Sequence, residues 1–125
     1  MSHLLVVAAG GACGAVLRFL VVGLATLPGM SFPFGTLLVN VIGSFLLGLL
    51  AGYWMVAGQP LPSVRLFFQT GLLGAFTTFS AFSLDTLTLW QNGQVLAAFL
   101  NALLNLLLCL LACGAGLAIG AAINR

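Results

Sequence analysis

Residues 74 to 83 read Gly74-Ala-Phe-Thr-Thr-Phe-Ser-Ala-Phe-Ser83, placing two threonines and two serines within the seven residues from Thr77 to Ser83. Hydroxyls at this density are hydrogen-bond donors in want of an acceptor. Phe76, Phe79 and Phe82 recur every three residues and drift slowly around one side of a helix. A phenyl ring is positive at its edge, so rings turned edge-on favour an anion without the tight hold of a buried lysine. Plain apolar packing is the competing use of each ring. Gly71 and Gly74 loosen the backbone just ahead of the hydroxyls.

Two further polar stripes accompany this segment. Thr36, Asn40 and Ser44 stand at i, i+4 and i+8, and Asn101, Asn105 and Cys109 repeat the spacing later in the chain, so each set lines one face of a helix. Alone, an Asn or Thr in such a place glues helices together or bonds the preceding turn. Three converging stripes instead line a narrow path. Its lining offers hydroxyl and amide donors with almost no carboxylate, since Asp85 is the only acid. A multivalent cation finds little to hold it there, whereas an anion or a small neutral solute does. Arg18 has three possible uses: reaching the nearer interface, pairing with Asp85, or lending positive potential to an anion entry. Cys13, Cys109 and Cys113 read as small packing residues, because the single histidine, His3, stands far away at the terminus and completes no metal set.

The elements that must position these groups are membrane helices. The chain has 125 residues, 62% hydrophobic and 3% charged, with a mean hydropathy of +1.28, too little charge to keep a globular surface wet. About 20 apolar residues span the hydrocarbon, and four such runs are present: 4–27, 35–57, 64–90 and 95–123, separated by Pro28-Gly29, Gly58-Gln-Pro60 and Gln91-Asn-Gly-Gln94. One all-α membrane domain is expected, with no soluble domain and no cleaved leader. Tyr53, Trp54 and Trp90 fall near helix ends, where aromatic belts sit. Arg65 and Arg125 share a side with the N-terminus, a bias small enough to fit either a fixed orientation or insertion both ways round. Glycine pairs at four-residue spacing, Gly10 with Gly14, Gly48 with Gly52 and Gly116 with Gly120, suit close helix packing, either within one chain or between two. Four helices fill their own centre, so transport favours a dimer.

Three segments, Gly10-Gly-Ala-Cys-Gly-Ala-Val-Leu-Arg18, Phe34-Gly-Thr-Leu-Leu-Val-Asn40 and Gly74-Ala-Phe-Thr-Thr-Phe-Ser-Ala-Phe-Ser83, resemble the signature segments of the Fluc (CrcB) family of small fluoride channels, in the family's order. The resemblance implies an antiparallel, dual-topology homodimer in the inner (plasma) membrane. It would let fluoride leave the cytoplasm passively through two pores at the subunit interface, relieving fluoride toxicity. It also implies residue roles. Phe79 and Phe82 would be the pore phenylalanines, Asn40 a pore-lining amide donor, and Thr36 and Ser80 hydroxyls near the path. Asn101, Asn105 and Cys109 would form a polar track. The broken third helix would turn the backbone carbonyls of Gly74 and Thr77 from both subunits towards one central structural sodium ion. The chain departs from the family pattern at Ala75, Ala81 and Cys109, and Asp85 stands where Glu is more usual.

The lipid bilayer and a second copy are thus the expected partners, and no nucleic acid is. A small proton-coupled drug antiporter also uses four short helices, but it needs a carboxylate in the first span, which has none. A non-transporting membrane subunit is the third class. No acid–base pair, metal cluster or phosphate loop suggests an enzyme.

Overall fold

The computed structural model describes residues 2–123 and is all-helical. Arg125, counted above for orientation, lies outside the described residues. Helix α1 (Ser2–Ala25) ends ahead of Pro28-Gly29, and α2 (Phe34–Ala57) starts behind Pro33 and stops at Gly58, whose φ of 97° suits only glycine. The third span is built in pieces: α3 (Pro62–Arg65), a π-helical segment (Leu66–Leu73), α4 (Gly74–Phe76), and, after a break, α5 (Phe79–Gln91). A turn through Asn92-Gly93, with Gly93 at φ 78°, leads into α6 (Val95–Ala122). All four spans are long and apolar enough to cross a bilayer, which makes the chain a multi-pass membrane protein.

Close packing rests on glycine. A Cβ added at Gly48 or Gly52 would strike the carbonyls of Cys113 or Leu117, and one at Gly116 or Gly120 would strike those of Phe45 or Leu49. The α2 and α6 backbones therefore lie against one another directly, each glycine receiving a carbonyl from the facing helix. Gly10 and Gly14 do the same for α1 against the π segment, where Gly71 approaches Gly10. All three glycine pairs are thus spent inside one chain.

The interior that results is small and partly polar. Among the described residues, only Val39 and Asn101 of the larger side chains are fully buried, while Leu24 at 85% and Phe19 at 78% exposure face outward, as hydrocarbon permits. Trp54, expected in an aromatic belt, is instead buried at 7% exposure. It stands about three turns beyond Gly43, on the face of α2 that meets Phe76 and Thr77 of the third span.

The π segment was not foreseen. Its wider turn sends the Gly74 N–H to the Gln69 carbonyl, five residues back, and the extra residue per turn accommodates the close approach of α1.

Candidate functional site

The break in the third span falls at Thr77 and Thr78, both with extended backbone (φ −84°, ψ 157° and φ −152°, ψ 114°). Thr78 is the N-cap of α5, its Oγ1 accepting the Ala81 N–H at 3.1 Å. Thr77 Oγ1 turns back to donate to the Leu73 carbonyl at 3.2 Å. A continuous helix would give the Thr78 N–H to the Gly74 carbonyl; here it goes to Asn40 Oδ1 at 2.8 Å. The carbonyls of Gly74 and Thr77 both lose their helical partners in this way.

Asn40 on α2 also donates through Nδ2, to the Thr78 carbonyl at 3.1 Å and to Asn105 Oδ1 at 3.0 Å. Asn105 on α6 donates in turn to the carbonyl and Oδ1 of Asn101, at 3.0 and 3.1 Å. Asn101 Nδ2 reaches Thr86 Oγ1 at 2.9 Å, and that hydroxyl donates to the Phe82 carbonyl at 2.7 Å. A chain of amides therefore runs from the break, through α2 and α6, to the phenylalanine-bearing turn of α5. Among the described residues no buried side-chain polar atom is left without a partner, as a medium without water demands.

Two cavities flank the break, and Thr78 borders both. The first, about 580 Å³, is walled by Asn40, Ser44, Thr77, Phe79, Phe82, Asn105 and Cys109, with Gly74 at its edge. Its outer wall includes Leu106 and Leu110, which are exposed on the outside of α6. The rings of Phe79 and Phe82 lie 5.2 Å apart at 54°, and Phe79 is 79% exposed. Phe76, which the sequence grouped with them, is buried ahead of the break at 5% exposure. Because the helix is interrupted at residues 77 and 78, the three-residue spacing does not carry Phe76 onto the same side.

The second cavity, about 630 Å³, is bordered by Arg18, Thr36 and Ser80. Thr36 Oγ1 donates to Asp85 Oδ2 at 2.6 Å, and Arg18 Nη1 approaches the Thr77 carbonyl at 3.4 Å. Of the three uses open to Arg18, the structure thus shows it turned to the break and not paired with Asp85.

The residues singled out from sequence therefore separate. Phe79, Phe82, Asn40, Asn105, Cys109, Gly74 and Thr77 meet at the first cavity. Thr36, Ser80 and Arg18 meet at the second. Asn101 and Asp85 border neither; Asn101, fully buried, supports Asn105, and Asp85 receives Thr36. Sequence reasoning counted Thr78 among the hydroxyls but gave it no role. A threonine directly before a helical run is an N-cap signal, and that signal was present. Among the described residues no cluster of His, Cys, Asp or Glu is placed to hold a metal ion. The carbonyls of Gly74 and Thr77, without helical partners, are oxygens of the kind a hard cation takes.

Comparison with known proteins agrees with the segments that carry this geometry. Residues 5–117 match the family model described as CrcB-like protein, Camphor Resistance (CrcB). The chain is 49% identical over 121 residues to a protein of Rhizobium meliloti (strain 1021) named fluoride-specific ion channel FluC, covering 95% of this chain and 96% of the relative. Proteins with the same name in Rhodospirillum centenum (46% identity; 95% of each chain) and Shewanella woodyi (50%; 81% and 82%) are similar to it as well. With a family match over most of its length, and relatives of near-equal length named as channels and not as enzymes, the chain belongs to the CrcB-like family.

Proposed function

We propose that this chain is a fluoride-selective channel of the inner (plasma) membrane that lets fluoride leave the cytoplasm passively. The observation that carries the reading is the first cavity. It is acid-free, it sits against a helix break, and it sets two phenylalanine rings beside hydroxyl and amide groups. Fluoride is a small, strongly hydrated anion, and a path that accepts it must replace water with donors fixed in place. The Ser44 hydroxyl and the ring edges of Phe79 and Phe82 are groups of that kind in this cavity, and the Ser80 hydroxyl and the charge of Arg18 stand at the second cavity, on the other side of Thr78. Thr36, Asn40, Asn101, Asn105 and Cys109 form or support the walls.

The cavity is a groove with exposed Phe79, Leu106 and Leu110 along its rim, so a second copy lying against it would close it into a pore. An antiparallel homodimer repeats the groove and yields two pores. Since the glycine pairs are consumed internally, this interface uses larger apolar side chains. The carbonyls of Gly74 and Thr77 would hold a central structural sodium ion, which would neutralise the helix ends that meet there. Arg18 at the Thr77 carbonyl is a like charge on one side of that position, so the ion would lie on the other.

Purified protein in liposomes is expected to release fluoride, read with a fluoride electrode, and to retain chloride. Comparable release of both ions would remove selectivity from the proposal, and release of neither would favour a packing subunit. The thiol of Cys109 is a weak donor on this path. Cys109→Ser is expected to change fluoride flux modestly, by roughly two- to fivefold, the equivalent of about 0.5–1 kcal/mol for one neutral hydrogen bond. The same electrode assay measures it.

A further inference from the structure

The amide of Asn40 was expected to donate to the permeating ion, yet the structure gives it other work. Its Oδ1 accepts the Thr78 N–H at 2.8 Å, and its Nδ2 donates to the Thr78 carbonyl at 3.1 Å. One carboxamide thus pairs with both backbone groups of a single residue, as a neighbouring peptide would in a sheet. The remaining Nδ2 proton is taken by Asn105 Oδ1 at 3.0 Å. A primary amide has two N–H bonds, and both are engaged.

We infer that Asn40 is a positioning residue that holds the third span open at Thr78, and not a ligand for the permeating ion. Without it, the Thr78 N–H has an acceptor one turn back, at the Gly74 carbonyl, and making that bond would close the break. Closing it would also withdraw the Gly74 carbonyl and turn α5, which carries Phe79 and Phe82. Asn105 and Asn101 serve this clamp. Asn105 takes up the spare proton of Asn40, and Asn101, fully buried, fixes Asn105 through two bonds. The polar track on α6 is therefore, at Asn101 and Asn105, the back of a brace and not a row of free donors.

Full-length protein labelled with ¹⁵N-asparagine and ¹⁵N-threonine, in bilayers, allows a direct test by NMR. The Asn40 side-chain protons are expected to exchange with D₂O at least about tenfold more slowly than those of Asn92, which is exposed in the turn before α6, because both are hydrogen-bonded away from water. They are also expected to keep their positions through a fluoride titration. Exchange as fast as that of Asn92, or a shift that saturates with fluoride, would overturn the inference. In Asn40→Ala the Thr78 amide resonance is expected to move while that of Thr88, further along α5, stays in place. An unmoved Thr78 resonance in the folded variant would overturn it too, and if that variant does not fold, the exchange and titration of the unaltered protein decide. Only the titration rests on the fluoride reading. Slow exchange and a shifted Thr78 stand if the chain carries another solute.

Discussion

Phe82→Ile is expected to cut fluoride flux by about 30-fold while leaving the protein folded. The side chain borders the first cavity, with its ring 5.2 Å from that of Phe79 and tilted by 54°. Isoleucine keeps the apolar character and much of the volume, so the packing loss is small. What disappears is the ring edge, the only part of this side chain with positive charge to offer an anion. If an anion at the ring edge gains as much as a desolvated cation does over a ring face, about 2 kcal/mol, losing it corresponds to roughly a 30-fold slower passage. The hydrogen bond from Thr86 is to the backbone carbonyl of residue 82 and survives the change. Fluoride-electrode efflux from liposomes at matched protein loading measures the effect. Flux within about threefold of the unaltered protein would show that the ring serves packing alone, since a contact worth under 1 kcal/mol would not decide an ion path.

The site was legible in the sequence at the level of residue type and less so at the level of geometry. The hydroxyl cluster after Gly74 marked a stretch unlike a lipid-facing helix, and the i, i+4 spacing of Asn40 with Thr36, and of Asn105 with Asn101, announced stripes. Spacing says which residues share a face; it does not say what faces them. That depends on the register between α2 and α6, which the close seating of Gly48, Gly52, Gly116 and Gly120 on facing carbonyls determines. The register brings Asn40 against Asn105 and Thr78, and so converts two predicted donors into a mutual brace. Glycine pairs were equally ambiguous, because small residues four apart permit close approach whether the neighbouring helix belongs to the same chain or another. The π segment had no sequence signal of its own. An α- and a π-turn use the same residues, and the neighbour against which Gly71 packs, Gly10, stands on a helix some sixty residues earlier in the chain. Trp54 followed the same logic: its place near a helix end was visible, but the burial of its face of α2 was not.

Gly116→Val should therefore be among the most damaging single changes outside the cavities. A Cβ at 116 would strike the Phe45 carbonyl and come within 2.8 Å of the Leu49 backbone nitrogen, and neither atom belongs to a flexible side chain that can swing away. Relief requires the two helix axes to separate. Separation loosens the reciprocal contacts at Gly48, Gly52 and Gly120 together, since all four glycines lie in one seam. Overpacking a core usually costs about 1–3 kcal/mol, and a clash of backbone against backbone over a whole seam belongs at or above the upper end, about 3 kcal/mol or more. The consequence reaches function because the same seam sets Asn105 opposite Asn40. Gly114, two residues earlier on α6, provides the control, as a Cβ there meets nothing within 4 Å. Gly114→Ala is expected to leave stability unchanged or raise it by up to about 1 kcal/mol through helix propensity. Thermal unfolding in detergent, followed by circular dichroism and by loss of the monodisperse peak in size-exclusion chromatography, compares the two. A shift at Gly116→Val no larger than that at Gly114→Ala would mean that α2 and α6 can part without loss, and that the amide brace between them is held by something other than this seam.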